Sequence, residues 1–227
     1  MIGKTGILSF VARLVGVLLV LAVLLAAEAC SSEPEFDYGD FRETFATFAG
    51  RNAEGKAVLT VRLHGDSPEL QMTAVNADTV PAAVGERVFV RYTVVERLSD
   101  TESRIRIDGQ MKIINGRLQN ADPKKLDSTR LSVTSIWRSG ACINLNAWIP
   151  YTGKPFVLAL LGNGKVSADG TAEAFLVYDM RGAMPAFERK AYASFDVSSL
   201  WMQAGLKRLR VYVDNNTGDA YYDFLKQ

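Results

Sequence analysis

The chemistry available to this chain is narrow. A hydrolytic nucleophile needs a base beside it, and the sequence holds one histidine, His64. His64 stands in His64-Gly-Asp-Ser-Pro68, a turn-forming string, where a solvent-facing loop residue is expected. A zinc site takes three or four ligands, mostly nitrogen and sulfur, and one histidine with two cysteines, Cys30 and Cys142, supplies too few once Cys30 is otherwise engaged. Asp214-Asn-Asn-Thr-Gly-Asp219 carries closely spaced oxygen side chains but lacks the distal Glu and the residue order of a calcium loop. It reads as a hairpin loop. Paired carboxylates, the basis of glycoside hydrolysis, cannot be singled out among so many acids. Gly162-Asn-Gly164 opens no helix and so is not a phosphate loop. The expectation is a non-enzymatic protein without a cofactor or metal.

Cys30 is the residue whose surroundings specify a reaction. Lys4 and Arg13 precede an uncharged apolar run, Leu14 to Ala27, and Ala27 and Ala29 place small side chains just before Cys30. Fourteen apolar residues are too few for a membrane span, which takes about 20. The pattern resembles a bacterial lipobox, in which the chain is cut between Ala29 and Cys30 and the thiol is acylated. Ala27 and Glu28 depart from that motif, so cleavage without lipid is the alternative. Acyl chains bind a membrane through about 0.8 kcal/mol per buried methylene. The acidic, proline-interrupted Ser31 to Asp37 cannot form a core and reads as a tether. The expected location is the outer membrane, with the surface favoured over the periplasmic side. Acylation of Cys30 also leaves Cys142 unpaired, as a small hydrophobe on a strand.

Cleavage after Ala29 leaves 198 of the 227 residues, with 24 basic and 24 acidic side chains. Such a neutral chain lacks the basic excess of a nucleic-acid binder.

The elements that must carry any binding surface are strands. Residues 40–49, 57–63, 70–75, 87–95 and 104–114 read as five short strands, with Ile105 and Ile107 on one face and Arg104, Arg106 and Asp108 on the other. Five strands in this length suggest an OB-like barrel over 38–117. The turn-rich stretch 118–127 is read as a linker. Seven further segments, at 131–138, 141–149, 155–161, 172–178, 189–195, 206–213 and 221–225, suggest an immunoglobulin-like β-sandwich over 128–227. One helical turn is expected at 200–204. The whole is therefore all-β, with residues 1–29 as signal peptide and 30–37 as tether.

Oligonucleotide-binding OB-folds use aromatics on their second and third strands, and Ala57 to Leu63 and Leu70 to Val75 have none. Protein or glycan contact is the more natural use. Trp137, Trp148 and Tyr151 are the candidate glycan-facing aromatics, with core packing as the competing role.

Four strings in order, Tyr38-Gly-Asp-Phe41, Gly85-Glu-Arg-Val-Phe-Val-Arg-Tyr92, Leu131-Ser-Val-Thr-Ser-Ile-Trp137 and Ala193-Ser-Phe-Asp-Val-Ser-Ser-Leu200, resemble the NigD-like lipoproteins of Bacteroides-group bacteria. The resemblance covers almost the whole mature chain. It implies an OB-like domain followed by a β-sandwich and a lipidated Cys30, and no assigned activity. The family's association with a bacteriocin locus points to immunity or export as one role, beside surface glycan binding.

Overall fold

A computed structural model describes residues 41–125, 127–215 and 218–226. Ala29, Cys30 and the Ser31 to Asp37 tether lie outside the described residues. Among the described residues no helix is long and apolar enough to cross a membrane.

The N-terminal half is the expected barrel. Strands β1 (Phe41–Arg51), β2 (Ala57–Val61), β3 (Leu70–Ala74), β4 (Arg87–Arg97) and β5 (Glu102–Lys112) close in the order β1-β2-β3-β5-β4, with β4 returning to β1. Period-two alternation builds it: Ile105 and Ile107 are buried while Arg104, Arg106 and Asp108 face solvent. Ala57, Leu59, Val61, Met72, Val88, Val90 and Tyr92 join them in the barrel core.

The second half holds all seven expected strands: β7 (Ser132–Ser139), β8 (Cys142–Tyr151), β9 (Val157–Gly162), β10 (Thr171–Asp179), β11 (Phe187–Asp196), β12 (Arg208–Asn215) and β13 (Gly218–Leu225). The expected helical turn, α1 (Ser198–Trp201), begins two residues before its expected start. Asp214 to Asp219 joins β12 to β13, whose register runs to Asn215↔Gly218.

An eighth strand, β6 (Ile114–Asn120), differs from the sequence reading, which ended the barrel at 117 and made 118–127 a linker. The barrel instead ends at Lys112, and β6 belongs to the sandwich. The turn-like Gly116 and Asn120 masked a strand pattern, because Ile114, Gly116 and Leu118 point inward and alternate with exposed Asn115, Arg117 and Gln119. Gly116 is required by packing: a Cβ there would lie 2.7 Å from the Phe195 ring.

The sandwich is one continuous sheet, β13-β12-β10-β9-β6-β11-β8-β7, rather than two independent sheets. β6 is the shared strand. Its first half pairs in parallel with β11 at Ala193–Asp196, and its second half in parallel with β9 at Leu160–Gly162. The two halves meet across a core of Ile143, Leu145 and Ile149 from one side and Leu160, Ala174, Leu176, Leu209 and Val211 from the other. Tyr178 crosses this core and donates its hydroxyl to the Pro150 carbonyl.

Candidate functional site

The barrel and sandwich are held together by polar and aromatic contacts. Arg138, at the end of β7, is 7% exposed and donates to both Asp66 carboxylate oxygens at 2.8 and 2.6 Å. It also donates to the Gly140 carbonyl at 2.8 Å and lies 4.2 Å from the Trp201 ring centroid. The Arg138 hydrogen bond, then its charge, holds the Asp66 carboxyl below its ordinary range. Asn115 of β6 accepts from the Arg87 amide at 2.8 Å and donates to the Arg87 carbonyl at 2.9 Å, tying β4 to the sandwich. Phe45 and Phe89 of the barrel pack on Trp137 and Tyr192, with Phe89 stacked on Tyr192 at 5.1 Å.

A cleft of about 530 Å³ opens beside this junction. Its walls come from three places: Glu86, Met111 and Lys112 of the barrel, Asn115 at the start of β6, and Arg189, Lys190 and Tyr192 of β11. Met111 is 41% exposed, giving the cleft an apolar rim. Three cationic groups face one carboxylate, and a Glu86 oxygen already accepts the Ala83 amide at 2.9 Å. Lys190 Nζ sits 5.3 Å from the Tyr192 ring and the Arg189 guanidinium 4.9 Å from the Tyr151 ring. Among the described residues none of the three cations reaches a carboxylate.

The cleft exists because β6 starts late. β8 pairs with β11 along its whole length, Phe187↔Tyr151 to Asp196↔Cys142, whereas β6 reaches β11 at Ala193. Apart from the Tyr192 carbonyl, which the Ala193↔Ile114 pairing commits to β6, residues 187–192 therefore form an edge without a strand partner among the described residues.

The three aromatics singled out from the sequence do not form one surface. Trp137 is half-buried against Phe45, 5.0 Å between centroids, and serves the junction. Trp148 is 44% exposed and sits opposite Lys190 in the β8–β11 register. Tyr151 packs edge-on to Phe156 and Phe187. His64 is exposed in its turn, its carbonyl accepting the Ser67 amide at 3.0 Å. Cys142, the first residue of β8, is half-buried and free. No group of three or more potential metal ligands occurs among the described residues.

A second ordered surface covers the outer face of β10, β12 and β13. Phe175, Tyr212 and Tyr221 stand opposite one another in one row, and Glu173, Arg210 and Asp223 in the next. These groups satisfy each other. Phe175 stacks on Tyr212 at 5.0 Å, Tyr212 donates to Glu173 at 2.9 Å, and Arg210 donates to Asp223 through two 2.8 Å bonds while lying 4.1 Å from the Tyr221 centroid. The Glu173 bond, then burial, raises the Tyr212 hydroxyl above its ordinary value. Cross-strand pairs of this kind stabilise a sheet. The cleft, with unmatched cations and an open strand edge, is the stronger candidate.

Lys112, Arg189 and Lys190 converge through sheet pairing across some 80 residues of chain, and nothing in their spacing announced it. The Arg189-Lys190 doublet at the start of a strand was the sole local signal.

No protein-family model matches the sequence, and no curated protein matches it. Solved structures do match, at the level of fold. A protein of unknown function from Bacteroides vulgatus superposes with a TM-score of 0.66 at 18% identity, covering 82% of this chain and 91% of its own. A NigD-like immunity protein from Bacteroides caccae gives 0.57 at 16% identity, over 84% of this chain and 99% of its own. A candidate lipoprotein from Bacteroides fragilis gives 0.60 at 11% identity, over 83% and 99%. The barrel-plus-sandwich architecture is therefore shared with a NigD-like protein.

Proposed function

We propose that this chain is a NigD-like lipoprotein of the bacterial envelope that works by binding, with the junction cleft as its binding site. The observation that carries the reading is the cleft itself: a cavity between two β modules, cationic and apolar-rimmed, whose walls are fixed by the Arg138–Asp66 and Asn115–Arg87 ties. Rigid walls lower the ordering cost of binding. Anchorage through acylated Cys30, on the outer membrane and facing outward, is supported by the apolar run and small residues before Cys30 and by the candidate lipoprotein among the structural neighbours.

The test is photo-crosslinking in intact cells from a reactive side chain replacing Met111. A discrete adduct that weakens when Lys190→Glu is added supports the reading. Labelling indistinguishable from that of a probe at Val95, exposed elsewhere on the barrel, contradicts it.

The name of the Bacteroides caccae neighbour favours immunity as a second reading. It predicts a gene for a small secreted peptide or an exporter beside this one; a neighbourhood without either counts against it.

A further inference from the structure

We infer that the cleft takes an acidic peptide in extended conformation, added as a strand to the open edge of β11. The inference rests on the cleft being a binding site and names what it binds.

Three observations lead to it. The first is the direction of the backbone groups. The Val197 amide donates to the Ala141 carbonyl at 2.8 Å, which makes Asp196↔Cys142 a non-hydrogen-bonded pair of the antiparallel β8–β11 ladder. In such a ladder alternate residues turn their N–H and C=O groups toward and away from the partner strand. The register is unbroken from Phe187 to Asp196, so alternation turns the groups of Ser194 and the Tyr192 carbonyl toward β6 and the Tyr192 amide and both groups of Lys190 and Glu188 toward the cleft. Three donors and two acceptors thus lie along an edge without a partner strand among the described residues, the Tyr192 carbonyl being taken by the Ile114 amide where β6 begins. Backbone groups left in that state are a template for pairing.

The second is room. Residues 187–192 span about 20 Å at roughly 3.3 Å per residue, enough for an incoming strand of about six residues. Such a strand would prolong the line of β6 beside β11, with Met111, Phe156 and Tyr192 lining the space for its side chains.

The third is charge. Lys112, Arg189 and Lys190 face Glu86 and reach no carboxylate among the described residues, so a segment bearing Glu or Asp is the complementary occupant. Strand addition gains affinity from main-chain bonds and specificity from alternate side chains. The competing explanation is that Lys190 and Arg189 merely blunt the edge against aggregation; it predicts no binding.

The experiment uses the mature chain in detergent and a ten-residue synthetic peptide alternating Glu and Val, with a Lys-Val peptide as charge-reversed control. Binding is followed by fluorescence anisotropy and site-resolved hydrogen exchange. The expected result is slowed exchange, by about tenfold or more, at the Lys190 and Tyr192 amides, with Arg189 and Ala191, already paired to β8, unchanged. Affinity should fall about tenfold in Lys112→Glu/Lys190→Glu and with added salt. N-methylation of alternate peptide amides, which leaves the protein untouched, should abolish binding in one register and spare it in the other. Absence of binding, equal binding of the Lys-Val peptide, or saturation without protection at Lys190 and Tyr192 overturns the proposal. If a Met111 probe captures a partner or glycan in cells while the peptide leaves β11 unprotected, the cleft reading stands and strand addition fails. If the Met111 probe captures nothing, the cleft reading itself fails.

Discussion

Replacing Asp66 with Asn should loosen the barrel from the sandwich. The substitution leaves the Arg138 guanidinium nine-tenths buried and removes two charge-assisted bonds of 2.8 and 2.6 Å. Breaking a fully buried ion pair costs about 3–5 kcal/mol, and an exposed one about 0.2–1 kcal/mol. This pair lies between the two. Arg138 is enclosed, but Asp66 is 48% exposed and screened by water, and Arg138 retains the Gly140 carbonyl and the Trp201 ring. A loss of about 2 kcal/mol follows, which for a chain of this size lowers Tm by about 4–8 °C. The pH dependence gives a second reading of the same bond. Because the folded-state pKa of Asp66 is depressed, first by the Arg138 hydrogen bond, its contribution is complete above the ordinary carboxylate pKa of about 3.9 and is lost as pH falls through the depressed value. Denaturant unfolding of wild type and Asp66→Asn at a series of pH values should therefore give a constant gap near neutrality that narrows in acid. A gap below about 0.5 kcal/mol at pH 7, or one that persists unchanged into strong acid, would refute the reasoning.

Cys30→Ser should abolish labelling by a fatty-acid analogue and move the protein out of the membrane fraction; unchanged membrane association would remove the lipid anchor from the account. Asn144 is fully buried, donating to Ser139 and accepting from Ser194 at 2.8 Å each, so Asn144→Ala strands two hydroxyls and should cost about 1–3 kcal/mol in denaturant unfolding. Gly116→Ala drives a methyl into the Phe195 ring and should cost about 1–3 kcal/mol; a neutral result would show that the β6–β11 packing gives way easily. On a polysaccharide affinity gel, Trp148→Ala should weaken any retention that surface glycan capture produces. Trp137→Ala should instead lower Tm, because that ring supports Phe45.

Where a segment's own pattern decided its structure, the sequence was readable. Ile105 and Ile107 set the inner face of β5 by alternation alone, and each of the seven segments from 131 to 225 became a strand. β6 was misread because Gly116 and Asn120 are turn residues on local evidence, and the reason for Gly116, the Phe195 ring, lies some 80 residues away. The same distance hid the cleft. Lys112, Arg189 and Lys190 become neighbours when β6 pairs with β11, and the open edge follows from where β6 begins, which no composition or motif encodes. Trp137 was legible as an important aromatic, but its burial against Phe45 required knowing how the barrel meets the sandwich.

Binding at the junction is most directly tested by crosslinking in intact cells with matched probes at Met111 and Val95, read with and without Lys190→Glu. The account predicts a discrete adduct from Met111 that is lost with Lys190→Glu and absent from Val95. Equal labelling from both positions, or none from Met111, would contradict it.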